Sequence, residues 1–258
     1  MAPMTPPRRP RTWLFDLDNT LHDASFAAFG PTNAAMNDYI VEHLALSPAG
    51  AAELRRHYWN HYGATLLGLV RHHGVNASHF LHQTHQLPGL EARLRTSMHD
   101  RAVLKRLRGR RYILTNAPRA YALRVLNALR LADCFDGVIS IEDMTMFGHL
   151  RPKPDARMFA HVAARLKVRP SDCVLVEDTL EHQKAARSLG MHTVWMQRYL
   201  DGRYPGPAWS ARPRVRGARL DAAGTSEKNV REVGVHPCRK PPYVCARIKS
   251  LLKLLELQ

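Results

Sequence analysis

The sequence predicts an α/β protein: a parallel sheet whose strands alternate with helices, interrupted by a long helical insertion after the first strand. Three observations lead there. Short apolar runs, each too short for a helix, recur along the chain. Segments with apolar residues at helical spacing fill most of the gaps between them, as right-handed crossovers between parallel strands require. Several of the runs end in polar or acidic residues, and open α/β sheets bind their ligands at the carboxyl ends of the strands.

Taken in order, residues 1–11 (MAPMTPPRRPR) carry charge with no apolar stretch behind it. They do not resemble a secretory signal and read as a disordered lead-in. Residues 12–17 (TWLFDL) read as a buried strand that runs into a polar loop. Residues 24–98 are long, helix-like and poor in strand patterns, and are expected to form a helical insert over the crevice. Residues 103–107 fall on a helix before Gly109 and a basic turn. Further strands are expected at 112–114, ending in Thr115-Asn116, and at 138–141, after Asp136-Gly137. Two more are expected at 173–176, ending in Glu177-Asp178, and at 193–196. Helices are expected over 120–131, 156–166 and 181–189, the last closed by Gly190. Residues 201–240, rich in Pro, Gly and Arg, read as an irregular connection. A last strand over 243–248 and a short helix over 250–257 would close the sheet. The core is thus expected over 12–23, 99–200 and 241–258.

A chain of 258 residues that is 45% hydrophobic can bury one good core with a smaller inserted domain. No apolar run approaches the roughly 18 residues of a membrane span. Cys134, Cys173, Cys238 and Cys245 show no metal-ligand spacing, which fits a reducing cytoplasm better than a disulfide framework. The net charge of +16 could serve nucleic-acid binding, but its basic clusters do not interleave with aromatics as in a single-strand binder. Most of it reads as solvated surface with some attraction for phosphate compounds.

The strand-end residues suggest a chemistry. Asp16 and Asp18, one residue apart after an apolar strand, can divide the work of phosphoryl transfer. One carboxylate attacks phosphorus while the other protonates the leaving oxygen and later deprotonates a water. Crowded carboxylates beside a phosphate repel, and a bound Mg²⁺, which favours oxygen ligands, would offset this. Asp178 is the natural third carboxylate. Lys153, flanked by prolines in RPKPD, offers a point charge to phosphate oxygens. The Thr115 hydroxyl and nearby backbone N–H groups could hold the rest.

These residues carry a resemblance. LFDLDNTL, ILTNA, RPKPD and VLVEDT match, in order, the motifs of the haloacid dehalogenase (HAD) superfamily over roughly residues 12–199. The resemblance implies a Rossmann-like core with an inserted helical cap. It implies Asp16 as nucleophile, Asp18 as general acid/base, and Thr115, Asn116 and Lys153 as the phosphate grip. Mg²⁺ would be held by Asp16, Asp178 and the backbone carbonyl of Asp18, with Glu177 helping through water. Dehalogenases of this superfamily generally lack the second aspartate, whereas phosphatases and phosphomutases keep it, so Asp18 points to phosphoryl transfer, with a phosphatase favoured over a mutase. The segments HYWNHYGATLLGL and NAPRAYALRVL resemble the pyrimidine 5′-nucleotidase branch, which acts on UMP and CMP. Phosphatases of sugar phosphates or phosphoglycolate are the enzymatic alternative. His22, Tyr62 and Thr65 are the candidates for contact with the substrate. His57 and His61 have the spacing of helical zinc ligands but no third partner, and read as cap surface or packing. Met144, Met146 and Phe147 read as core packing beside Lys153.

Overall fold

The computed structural model describes residues 11–200 and 240–257. The lead-in expected over 1–11 and the connection expected over 201–240 therefore lie outside the described residues, apart from Arg11 and Lys240.

The first strand, β1 (Thr12–Phe15), is followed by the helices α1 (Ala24–Ala27), α2 (Phe29–Leu44), α3 (Pro48–Tyr62), α4 (Thr65–His73), α5 (Ala77–Thr84) and α6 (Leu90–Arg93). Next come α7 (Asp100–Arg106), β2 (Arg110–Leu114), α8 (Arg119–Ala128), β3 (Gly137–Ile139) and a small hairpin of β4 (Thr145–Met146) and β5 (His149–Leu150). The remainder is α9 (Ala156–Arg165), β6 (Cys173–Glu177), α10 (Leu180–Ser188), β7 (His192–Met196), β8 (Ala246–Ile248) and a closing 3-10 helix, Leu251–Glu256.

Six strands form one sheet in the order β3-β2-β1-β6-β7-β8, and every pairing is parallel. Alternation along each strand supplies both faces. Trp13, Phe15, Ile113, Val174 and Val176 join α7, α8 and the C-terminal 3-10 helix in one cluster. Leu14, Leu114, Ile139 and Leu175 join α9 and α10 in another, on the opposite face. The chain runs outward from β1 to β3 and then jumps back to β6 on β1's other side, so a crevice opens at their carboxyl ends. Phe15 pairs with both Ile113 and Val176, which sets the residues that follow in the three strands at one level. Gly109, at φ +95°, makes the tight turn into β2; a Cβ there would fall 2.0 Å from the Arg11 carbonyl oxygen.

The helices between β1 and α7 divide by packing. Ala24, Ala27, Leu87 and Leu90 belong to the sheet's own cluster. Tyr39, Ile40, Ala51, Tyr58, Leu66, Leu69, Phe80 and Leu81 form a separate one, which Ile141 enters from the loop after β3. Local chemistry sets the boundaries of these helices. Ser47 caps α3 through the Gly50 N–H with Pro48 in its first turn, and Gly63 and Gly74 end α3 and α4 in left-handed conformations.

Several expected boundaries shift. The strand expected over 138–141 stops at Ile139, because Ser140 and Asp143 form a capping box that starts a helical turn. The helix expected over 120–131 ends at Ala128, before Arg130 at φ +55°. The last strand is shorter than 243–248, and the terminal helix is 3-10. Met144 is buried as expected, but Phe147 is 94% exposed, because it sits in the turn of the β4–β5 hairpin with φ +50°.

Candidate active site

The carboxyl ends of β1, β2 and β6 supply most of the expected residues. Asp16 follows β1, and its N–H donates to the Val176 carbonyl at 2.9 Å. Its Oδ1 accepts from Lys153 Nζ at 2.7 Å and its Oδ2 from the Thr20 hydroxyl at 2.9 Å. Lys153 Nζ also donates to Glu177 Oε2 at 2.7 Å, and all three charged residues are buried. Burial in this acidic company raises the Asp16 carboxyl to about 6, against the pull of Lys153. Burial also raises Asp178 well above the usual carboxylate range, reinforced by Glu177 and Asp16. Glu177 goes the other way: Lys153 and His182, whose Nδ1 lies 3.0 Å away, outweigh its burial and hold it well below that range. Lys153 is held charged by the two carboxylates, which overcome its own desolvation.

Carboxylate oxygens of Asp16, Glu177 and Asp178 come within 4.8 Å of one another. Oxygen-only donors and a surplus of negative charge suit Mg²⁺ rather than a metal that prefers nitrogen or sulfur. Among the described residues no other such group occurs, and His57 and His61, both exposed, gain no third partner.

Asp18 lies two residues beyond Asp16, with its side chain 21% exposed. Burial would raise it, but hydrogen bonds from His22 Nε2 (2.9 Å) and the Tyr121 hydroxyl (2.8 Å), both to Oδ1, prevail and lower it. Tyr121, desolvated beside this carboxylate, is pushed well above its normal value and stays a donor. Asn19, at φ +58°, ties the loop down through Ser25.

The expected phosphate grip divides. Thr115 is buried at the end of β2 and its hydroxyl accepts the Ala117 N–H at 3.0 Å, which shapes the loop before α8. The Asn116 side chain holds the Lys153 backbone: its Nδ2 donates to the Lys153 carbonyl and its Oδ1 accepts the Lys153 N–H, both at 2.9 Å.

Of the substrate-contact candidates, His22 is fully buried and its Nε2 donates to Asp18 Oδ1. Thr65 is also buried and donates its hydroxyl to the Arg55 carbonyl at 3.3 Å, because it opens α4 against α3. Tyr62 is half-buried and pairs with His72 Nε2 at 2.5 Å. The turn between them does approach the crevice: a Cβ on Gly63 would lie 3.6 Å from Pro154 Cδ, next to Lys153. The sequence does not mark Tyr121, because it falls on the apolar stripe of α8 with Ala122, Val125 and Leu126. Its phenol was the available signal, since a buried tyrosine hydroxyl seeks a partner.

Comparison with known proteins decides the family. The family described as haloacid dehalogenase-like hydrolase matches residues 10–190. The chain belongs to that family. An HAD phosphatase from Thermococcus onnurineus shares the hydrolase's fold with a TM-score of 0.52 at 19% identity, over 96% of this chain and 97% of that one. A phosphoglycolate phosphatase of Nitrosospira multiformis is 35% identical over 79 residues, 31% of this HAD hydrolase and 33% of the relative. Phosphate metabolism protein 8 of Saccharomyces cerevisiae is 24% identical over 207 residues, 72% of this chain and 63% of that protein. The matches thus span between a third and just under two thirds of these curated relatives. No helix among the described residues is long and apolar enough to cross a membrane.

Proposed function

We propose that this HAD hydrolase is a phosphomonoesterase whose nucleophile is Asp16. The observation that carries the reading is the buried set of Asp16, Lys153, Glu177 and Asp178 at one end of the sheet. Charges are buried together at this cost in desolvation where chemistry requires them. An Asp16 carboxylate oxygen attacks the phosphorus of the ester, and the bond from phosphorus to the alcohol oxygen breaks. Asp18 gives its proton to that oxygen. Asp18, now ionised, takes a proton from a water whose oxygen attacks the same phosphorus, releasing inorganic phosphate and restoring Asp16. Lys153 keeps a positive charge against the transferring group, and Asn116 keeps Lys153 in place. Mg²⁺ would be held by Asp16, Asp178 and the Asp18 backbone carbonyl with Glu177 beside it, and would supply the positive charge that lets carboxylates and phosphate share the crevice.

A pyrimidine nucleoside 5′-monophosphate is the proposed substrate, on the strength of the cap segment around Tyr62 and the segment following Asn116. Phosphoglycolate or a sugar phosphate is the second reading, favoured by the similarity to the Nitrosospira phosphatase. Phosphate release from UMP, CMP and phosphoglycolate with Mg²⁺, for the wild type and Asp16→Asn, tests both levels. Asp16→Asn should lose at least about 10³-fold in rate on every ester. Equal rates in the two proteins would sink the mechanism. A wild type that cleaves phosphoglycolate but neither nucleotide would replace the first substrate by the second.

A further inference from the structure

We propose that His22 and Tyr121 are positioning residues: they fix Asp18 by one oxygen, Oδ1, so that the transferable proton is carried on the other, Oδ2. The inference rests on the reading of Asp18 as the acid that protonates the leaving oxygen.

Two donors converge on Oδ1, the Tyr121 hydroxyl at 2.8 Å and His22 Nε2 at 2.9 Å. An oxygen that accepts two such hydrogens has no room for a hydrogen of its own. Among the described residues no hydrogen bond to Oδ2 accompanies the two to Oδ1, so Oδ2 is the oxygen with room for the transferable proton. The two anchors come from different parts of the chain. His22 belongs to Asp18's own loop and closes it with a bridge between the two residues. Tyr121 stands 103 residues away, on the helix that follows the Thr115 loop. It is backed by the edge-on ring of His85, with centroids 5.7 Å apart at 70°. The clamp therefore ties the acid to the helix that follows the Thr115 loop.

The second ring nitrogen of His22 supports a purpose beyond packing. His22 is fully buried, and its Nδ1 has no hydrogen-bond partner among the described residues. A buried polar atom left unsatisfied is costly, and an apolar side chain would fill the space without that cost. What histidine adds is the Nε2–H aimed at Asp18. Since Nδ1 meets no acceptor, the tautomer that fits carries its proton on Nε2.

The test separates positioning from structure by leaving group. 4-Nitrophenolate departs without a proton, whereas an alkoxide needs one. For each protein, kcat/KM is measured on 4-nitrophenyl phosphate, phenyl phosphate and glycerol 1-phosphate with Mg²⁺. This parameter reports steps up to the first irreversible one, before water attacks. Tyr121→Phe keeps the buried ring and loses only the hydroxyl. It should lower the alkyl ester rate by about tenfold or more and the nitrophenyl rate by less than about threefold. His22→Leu should behave likewise, and His22→Gln, whose amide still donates, should recover part of the loss. A drop equal on all three esters, no drop, or no recovery by glutamine would overturn the clamp. Asp16→Asn, run alongside, should be inactive on every ester. Its inactivity beside a flat leaving-group profile removes only this inference, whereas its retained activity removes the nucleophile reading.

Discussion

At the carboxyl end of the sheet, charge is buried against charge: Lys153 sits between Asp16 and Glu177, with Asp178 close by. In the body of the helical insert, buried polar groups pair by hydrogen bond with imidazoles and side-chain amides. Tyr39 pairs with His79 at 3.0 Å, Tyr58 with His73 at 2.8 Å, and the Arg55 guanidinium meets the side-chain carbonyls of Asn33 and Asn37. The first arrangement tolerates almost no change of residue type, since each charge is uncompensated without the others. The second depends on shape, which many residues can supply. A crevice built for one reaction and a cap adaptable to different molecules would differ in this way.

Lys153→Met is the strongest test of the contrast. It keeps the length of the side chain and strands two buried carboxylates, so it should cost about 3–5 kcal/mol of stability and abolish turnover. Chemical denaturation and phosphate release would check both. A fully stable Lys153→Met would mean that the buried charges are not interdependent.

Metal should come next. A ligand present at 100 times its dissociation constant stabilises the folded state by about 2.7 kcal/mol. Mg²⁺ should therefore raise the melting temperature of the wild type and leave Asp178→Asn nearly unmoved. The effect has a pH dependence with a definite sign. Asp16 holds its proton up to about 6 and Asp178 also lies above the usual range, and a metal must displace those protons. Stabilisation by Mg²⁺ should be small at pH 5 and grow as pH rises through about 6. Thermal shifts at several pH values would show it, and a constant shift would contradict the assignment.

The smallest expected effect tests the cap. A Cβ on Gly68 of α4 would fall 2.1 Å from Tyr58 Cγ, inside the ring packed on it. Gly68→Ala should cost about 2 kcal/mol by overpacking, without touching a charge. It should leave hydrolysis of a small ester largely intact at temperatures where it stays folded. Loss of that activity at such a temperature would mean that cap shape reaches into the chemistry.

The same contrast governs how much could be read from the sequence. Asp16, Asp18, Glu177 and Asp178 were legible because apolar strands end on or just before them, and the sheet brings those ends to one level, whereas Lys153 was legible from its flanking prolines in RPKPD. The alternation of strands and helices exposed the α/β class for the same reason. Pairings made across the fold were not legible. Nothing near Tyr121 marks it as Asp18's partner, and nothing near Asn116 shows that its amide turns to the Lys153 backbone 37 residues on. His22 was half-readable: its nearness to the loop was plain, its direction was not. Helix ends such as the one at Ala128 depended on a single left-handed residue, Arg130, which carries no glycine signal.

The two hydrophobic clusters have a practical corollary for redesign. The bases of the insert, around Ala24–Ala27 and Leu90, are welded to the sheet, while the residues of α2 to α5 carry a packing set of their own. Ile141 is the peg by which the loop after β3 enters that set. A graft that exchanged α2 to α5 for those of another cap would bring its interior with it. The natural seam for such a chimera lies within the insert, above α1 and α6, and the surface it must match is the one around Ile141.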